Sequence, residues 1–132
     1  MSSSSARAPS PFQYAMVRVV PRVERGECVN AGVVLFCRPR QFLAARTQLD
    51  EELLAALSPK CDPADVRPHL ENIERIAAGD AQGGPIAKLP QSERFHWLVA
   101  PSSTVIQCSP VHTGLTDDPP GELERLVARL VG

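Results

Sequence analysis

Three groups of residues in this sequence have types and spacings that can do chemistry. His96, His112 and the Asp117–Asp118 pair offer imidazole with carboxylate, the combination from which many hydrolytic metal sites and acid–base pairs are built. The run SPVHTG (109–114) places the Ser109 hydroxyl, the His112 imidazole and the Thr113 hydroxyl on one short segment. Gly114 lets such a segment bend, and loops of this kind bind anions or peptides through side chains and exposed amides. The third group is cationic: Arg18, Arg22 and Arg25 lie around a hairpin with Glu27 and Asn30. Guanidinium suits two-pronged contacts to carboxylate or phosphate, and Arg94 adds a further one near His96.

Each group also has a plainer reading. Asp118 before Pro119-Pro120 is the pattern of a helix N-cap. His96 beside Trp97 reads as an ordinary half-buried strand residue, with Trp97 buried between sheet and helix. Ser109 sits in no nucleophile elbow, and an Arg-rich hairpin is most simply a solvated face. Cys28, Cys37, Cys61 and Cys108 form no Cys-x-x-Cys pair, so they are expected as reduced thiols that bind no zinc. No Gly-rich phosphate loop, dinucleotide fingerprint or H-E-x-x-H motif occurs. No catalytic residue, metal or cofactor is therefore assigned. The expected partner or anion contacts are Arg18, Arg22, Arg94, His96, Ser109, His112 and Thr113, with His112 and Thr113 at the rim of the main concavity, near Arg18 or Arg94.

The elements that must position these residues follow from periodicity. YAMVRVVPR (14–22) alternates, ECVNAGVVLFCRP (27–39) is apolar at every position from Val33 to Cys37, and QFLAARTQ (41–48) is shorter. Alternation predicts a half-buried strand and a continuous apolar run one covered on both faces, so the three form a meander. Gly32 predicts a bulge or a close backbone approach, and Gly26 a turn within 23–26. Asp50 then caps a helix over 51–57, and Asp62 with Pro63 starts another whose stripe is Val66, Leu70, Ile73 and Ala77, flanked by His69 and Ile76. Gly79 ends it and opens a long Gly/Pro-rich loop over 79–93. RFHWLVA (94–100) and STVIQCS (103–109) read as a hairpin around Pro101-Ser102. PVHTGLTDDPP (110–120) reads as loop, and GELERLVARLV (121–131) as an amphipathic helix.

The totals bound the whole. The 132 residues are 43% hydrophobic and 22% charged, which fits one folded domain. Residues 1–11, with their run of four serines at 2–5, predict a disordered leader ahead of a single domain over 12–132. That segment has no apolar core of the kind a secretory signal needs, and no run of about 18 apolar residues follows, so the expected location is the cytoplasm. A net charge of −1 argues against nucleic acid as the partner, although 12 of the 14 cationic residues are Arg.

YAMVRVVPRVERGECVNAGVVLFC, RFHWLVAPSSTVIQCSPVHTG and the closing DDPPGELERLVARLV resemble a bacterial family known only as domain of unknown function number three thousand and thirty-seven. The resemblance runs from Tyr14 to Val131, with the R-G-E-x-x-N-x-G-V-V-L and S-P-V-H-x-G runs its most specific parts. It implies a small cytoplasmic protein, often encoded beside a HipA-like kinase-fold protein of the toxin–antitoxin type. It thus implies a partner and carries no catalytic residue over.

The expected fold is α+β, a mainly antiparallel sheet of about five strands with two to three helices on one face. The expected function is a non-enzymatic interaction module, an accessory of a HipA-like partner. Two alternatives stand beside it: a small hydrolytic or phosphoryl-handling enzyme using His96, His112 and Asp117, and a nucleic-acid contact through the Arg hairpin. A deep polar pocket joining the two histidines would mark the enzyme, and a grooved apolar patch the interaction module.

Overall fold

The alternating segment near the start of the chain becomes the central strand. β1 (Ser10–Val19) pairs antiparallel with β2 (Val29–Cys37), which pairs with β3 (Phe42–Thr47), giving the expected meander. The computed structural model describes residues 8–22, 27–101 and 105–131. Residues 1–7 of the expected leader, Arg25 and the Gly26 turn, and the Ser102 turn lie outside the described residues. β1 starts inside that leader: Ser10 and Pro11 pair with Thr116 and Leu115. The reason is tertiary. Phe12 is buried at 5% exposure, and Arg40 donates from Nε to Ser10 Oγ (3.0 Å) and from Nη2 to the Ala8 carbonyl (2.7 Å).

Gly32 marks a bulge, as expected. Val17 is opposite Gly32 but Arg18 is opposite Asn30, which leaves Ala31 extra. A Cβ at Gly32 would lie 2.7 Å from the Arg46 carbonyl oxygen, so the neighbouring strand's approach requires glycine there.

Helix α1 (Glu51–Leu57) and helix α2 (Pro63–Ala78) occupy the expected spans. Asp50 and Asp62 accept from the Leu53 and Ala64 amides, and Gly79 closes α2 at φ 74°. The 79–93 segment is more ordered than a long loop. Two 3-10 turns, Ala81–Gly83 and Pro85–Lys88, lead into helix α3 (Gln91–Val99). The predicted strand at 94–100 is thus a helix. Phe95 and Leu98, three apart, are its buried residues, and Glu93 lies in its first turn. That helical spacing outweighs the aromatic content that favours a strand.

The segment after β4 (Ile106–Cys108) corrects a second expectation. PVHTG is not a free loop: β5 (His112–Thr116) pairs with the first half of β1, while β4 pairs with the second half on the same edge. Helix α4 (Pro119–Leu130) follows, and Asp118 caps it by accepting from the Gly121 amide (3.3 Å).

The class is α+β with a five-stranded antiparallel sheet, but the described helices lie on both faces. Ala15, Val34, Phe36 and Leu43 pack against α2 and α3, and Val17, Val19 and Ala31 against Leu54, Val66 and Leu70. The alternate residues Phe12, Val33, Leu35 and Cys37 pack against Leu123, Leu126 and Val127 of α4. The apolar run in β2 is therefore used on both sides, so helices confined to one face would have left half of it in water. No described helix is long and apolar enough to cross a membrane.

Candidate functional site

Ser109 is the first expected contact residue to acquire a definite role. It is 2% exposed, and its amide donates to the Met16 carbonyl at 2.8 Å. Its Oγ accepts from the Met16 amide (2.9 Å) and donates to the Pro110 carbonyl (2.9 Å). Cys108 is opposite Val17 and His112 opposite Tyr14, so three residues on one strand face two on the other. At this bulge the Ser109 hydroxyl replaces the carbonyl that a regular ladder would supply. Ser109 joins β4 to β5, and its hydroxyl is engaged in these two backbone bonds.

His112 and Thr113 are exposed on β5, and the His112 ring lies 5.3 Å from that of Tyr14. Neither lines the cleft between α2, α3 and β4 or the two depressions beside Gln91 and Pro110, so the expected rim position is not found. Gly114 does not bend the chain. It lies opposite Phe12, where a Cβ would come within 2.8 Å of the ring.

The hydrolytic constellation does not assemble. His112 shares the α4 face with its cross-strand neighbour Tyr14, which packs with the α4 cluster. His96 is exposed on α3, which packs on the opposite face. Asp117 lies beyond the far end of β5, about 16 Å from His112 at ~3.3 Å per strand residue. No group of three or more His, Cys, Asp or Glu side chains that could hold a metal occurs among the described residues.

Of the arginines, Arg94 braces the end of α2. Its Nη1 donates to the Ala87 carbonyl (3.2 Å) and lies over Gly79. Arg18 is half-buried on β1 opposite Asn30 and Gln107, and Arg22 is exposed just beyond β1. The Nε atoms of Arg18 and Arg94 are buried without a hydrogen-bond partner.

A cleft of about 420 Å³ lies elsewhere, between α2, α3 and β4. His69, Asn72 and Ile73 line it from α2, three and four residues apart and hence on one helix face. Leu98 and Trp97 line it from α3, and Ile106 and Cys108 from β4. Trp97 was expected to be buried; it is 49% exposed, because on a helix Phe95 and Leu98 turn inward and Trp97 is carried out to the lip.

The Cys108 thiol in the cleft wall donates to the Leu98 carbonyl at 3.2 Å. Burial pushes its pKa up to about 11, and the Arg18 charge opposes the rise only in part. A thiol so held stays protonated near neutrality and contributes an apolar surface, not a nucleophile. Among the described residues, the lining includes no Asp, Glu, Lys or Arg. An apolar wall, an indole lip and the hydrogen-bonding side chains of His69 and Asn72 suit an apolar side chain together with the peptide group beside it.

Sequence reasoning placed His69 beside the core stripe and Trp97 inside. The signal for both was present: an indole next to the inward pair Phe95 and Leu98, and His69 and Asn72 three apart at the margin of the α2 stripe. It becomes readable only once 91–99 is a helix.

The sequence profile of the family described as protein of unknown function (DUF3037) matches residues 14–131. Neither a curated protein nor a solved structure matches the chain.

Proposed function

The chain belongs to the DUF3037 family, and from its own geometry we propose that it is an interaction module, with the α2–α3–β4 cleft as the seat of a partner segment. One observation carries the reading: the Trp97 side chain is half in solvent at the lip of a largely apolar cleft. Exposed indoles beside a pocket are favoured anchors of protein interfaces, because they bury a large rigid surface while the N–H keeps a polar contact. Asn72 and His69 add donors and acceptors for a main-chain amide. The partner class to test first is a HipA-like kinase-fold protein, which the family resemblance implies.

The hydrolytic alternative loses support because His96 and His112 occupy opposite faces of the sheet. The nucleic-acid alternative rests on Arg18, Arg22 and Arg25; Arg18 is half-buried, and with a net charge of −1 the chain offers little counterion release.

Trp97→Ala tests the proposal. With half its surface already in water, Trp97 should contribute about 1–2 kcal/mol to stability, short of the ~3–5 kcal/mol of a fully buried aromatic. The variant is expected to fold and to lose the partner that wild-type protein captures from native lysate. A folded variant that captures the same partner equally well rejects the proposal.

A further inference from the structure

The two edges of the sheet are finished differently. At β3 the outward amide of Thr47 donates to the Glu74 carboxylate (2.7 Å), and Arg46 is paired with Glu124. At β5 no further strand follows among the described residues, and no charged residue occurs from Ser109 to Thr116. Natural sheets usually guard such an edge with a charge or a proline.

The direction of the β5 backbone follows from its neighbours. Even-numbered β1 residues direct their backbone groups to this side: Met16 accepts from Ser109, and Val20 donates to Val105. Their β5 partners are His112, Gly114 and Thr116. The N–H and C=O groups of Thr113 and Leu115 therefore point outward. Thr113 and Leu115 share one side of the strand, Val111 directly precedes it, and all three are exposed, Leu115 at 68%.

We propose that this edge pairs antiparallel with the same edge of a second copy of the chain, about a two-fold axis at Thr113. The occupant is chosen by register. A two-fold antiparallel pair must oppose residues of equal parity. Centring on Thr113 sets threonine against threonine and places Val111 opposite Leu115 twice, all favourable cross-strand pairs. On the other side it lays each His112 ring over a Gly114 that has no side chain. Centring on His112 would oppose two imidazoles, and centring on Gly114 would set Val111 against Asp117. Pro110, which has no N–H, marks one end of the paired segment, and Asp117 follows the other. The strand is thus self-complementary in one register, and the contact leaves the Trp97 cleft uninvolved.

Sedimentation of the full chain over a concentration series tests the assignment. Wild-type protein is expected to approach twice the 14.3 kDa chain mass. Thr113→Pro deletes an outward amide at an edge position that tolerates proline, and Leu115→Lys adds a guarding charge at a surface site. Each is expected to weaken the dimer by about ten-fold or more, with a melting curve that matches wild type at concentrations where wild type is monomeric. Should Thr113→Pro fail to fold, Leu115→Lys decides. A wild-type chain that stays monomeric at the highest concentration, as it would if the edge served another protein's strand, overturns the proposal. So does a dimer that persists in the folded variants.

Discussion

Replacing Ser109 by alanine separates a structural hydroxyl from a functional one. The substitution removes the acceptor of the Met16 amide and the donor to the Pro110 carbonyl, both at 2.9 Å. Ser109 is 2% exposed, so water does not readily take its place, and the Met16 N–H is left without its strand partner. An unsatisfied buried donor costs about 1–3 kcal/mol. With ~2.1 cal/mol/K of unfolding entropy per residue, a chain of 132 residues shifts its Tm by about 3–4 °C per kcal/mol. The expected loss is therefore roughly 4–11 °C, read by calorimetry, with faster amide exchange at Met16 and no change in partner affinity. A variant that melts with wild type but binds its partner weakly would refute the assignment and return Ser109 to the list of contacts.

Gly114→Ala would drive a methyl group into the Phe12 ring at 2.8 Å, and the buried ring has little room to yield, so a loss of about 1–3 kcal/mol is expected in chemical denaturation. Gly79→Ala combines a φ of 74° with a Cβ 2.8 Å from Arg94 Nη1; the arginine can shift, so only backbone strain of about 1 kcal/mol remains, visible as a Tm lowered by about 3–4 °C. The Cys108 thiol titrates at about 11 in the folded protein against an ordinary value of 9.0, so its raised pKa favours folding below pH 9. As pH rises from 9 toward 11 the unfolded chain loses its proton first, and up to about 2–3 kcal/mol is lost. Cys108→Ala should flatten that alkaline decline; an unchanged decline would assign it to another group.

The parts of the fold that were legible in the sequence have local causes. Asp50, Asp62 and Asp118 cap helices with their own carboxylates, Pro63 and Gly79 punctuate α2, and the alternation of Ala15, Val17 and Val19 marks β1. α3 lacks such a start. Pro90 precedes it without a side-chain cap, and its aromatic content favours a strand. β5 is a strand because the first half of β1 offers it an open edge, a contact about a hundred residues distant in sequence. The apolar run of Val33–Cys37 did call for cover on both faces, but an amphipathic helix at 121–131 does not say which face it takes. The site was hidden for the same reason as α3, since Trp97 and His69 meet only when 91–99 is helical.

Trp97 is the sole tryptophan of the chain, which makes its environment measurable without ambiguity. Labelling this chain with fluorotryptophan gives a single fluorine resonance, followed while a HipA-like kinase-fold partner, or the protein captured by wild type, is titrated in. The free protein should show a resonance sensitive to solvent and to soluble quencher, as befits a half-exposed indole. On binding, that resonance should move and lose its access to quencher. A complex in which the Trp97 resonance neither shifts nor gains protection would contradict the cleft as the partner's seat.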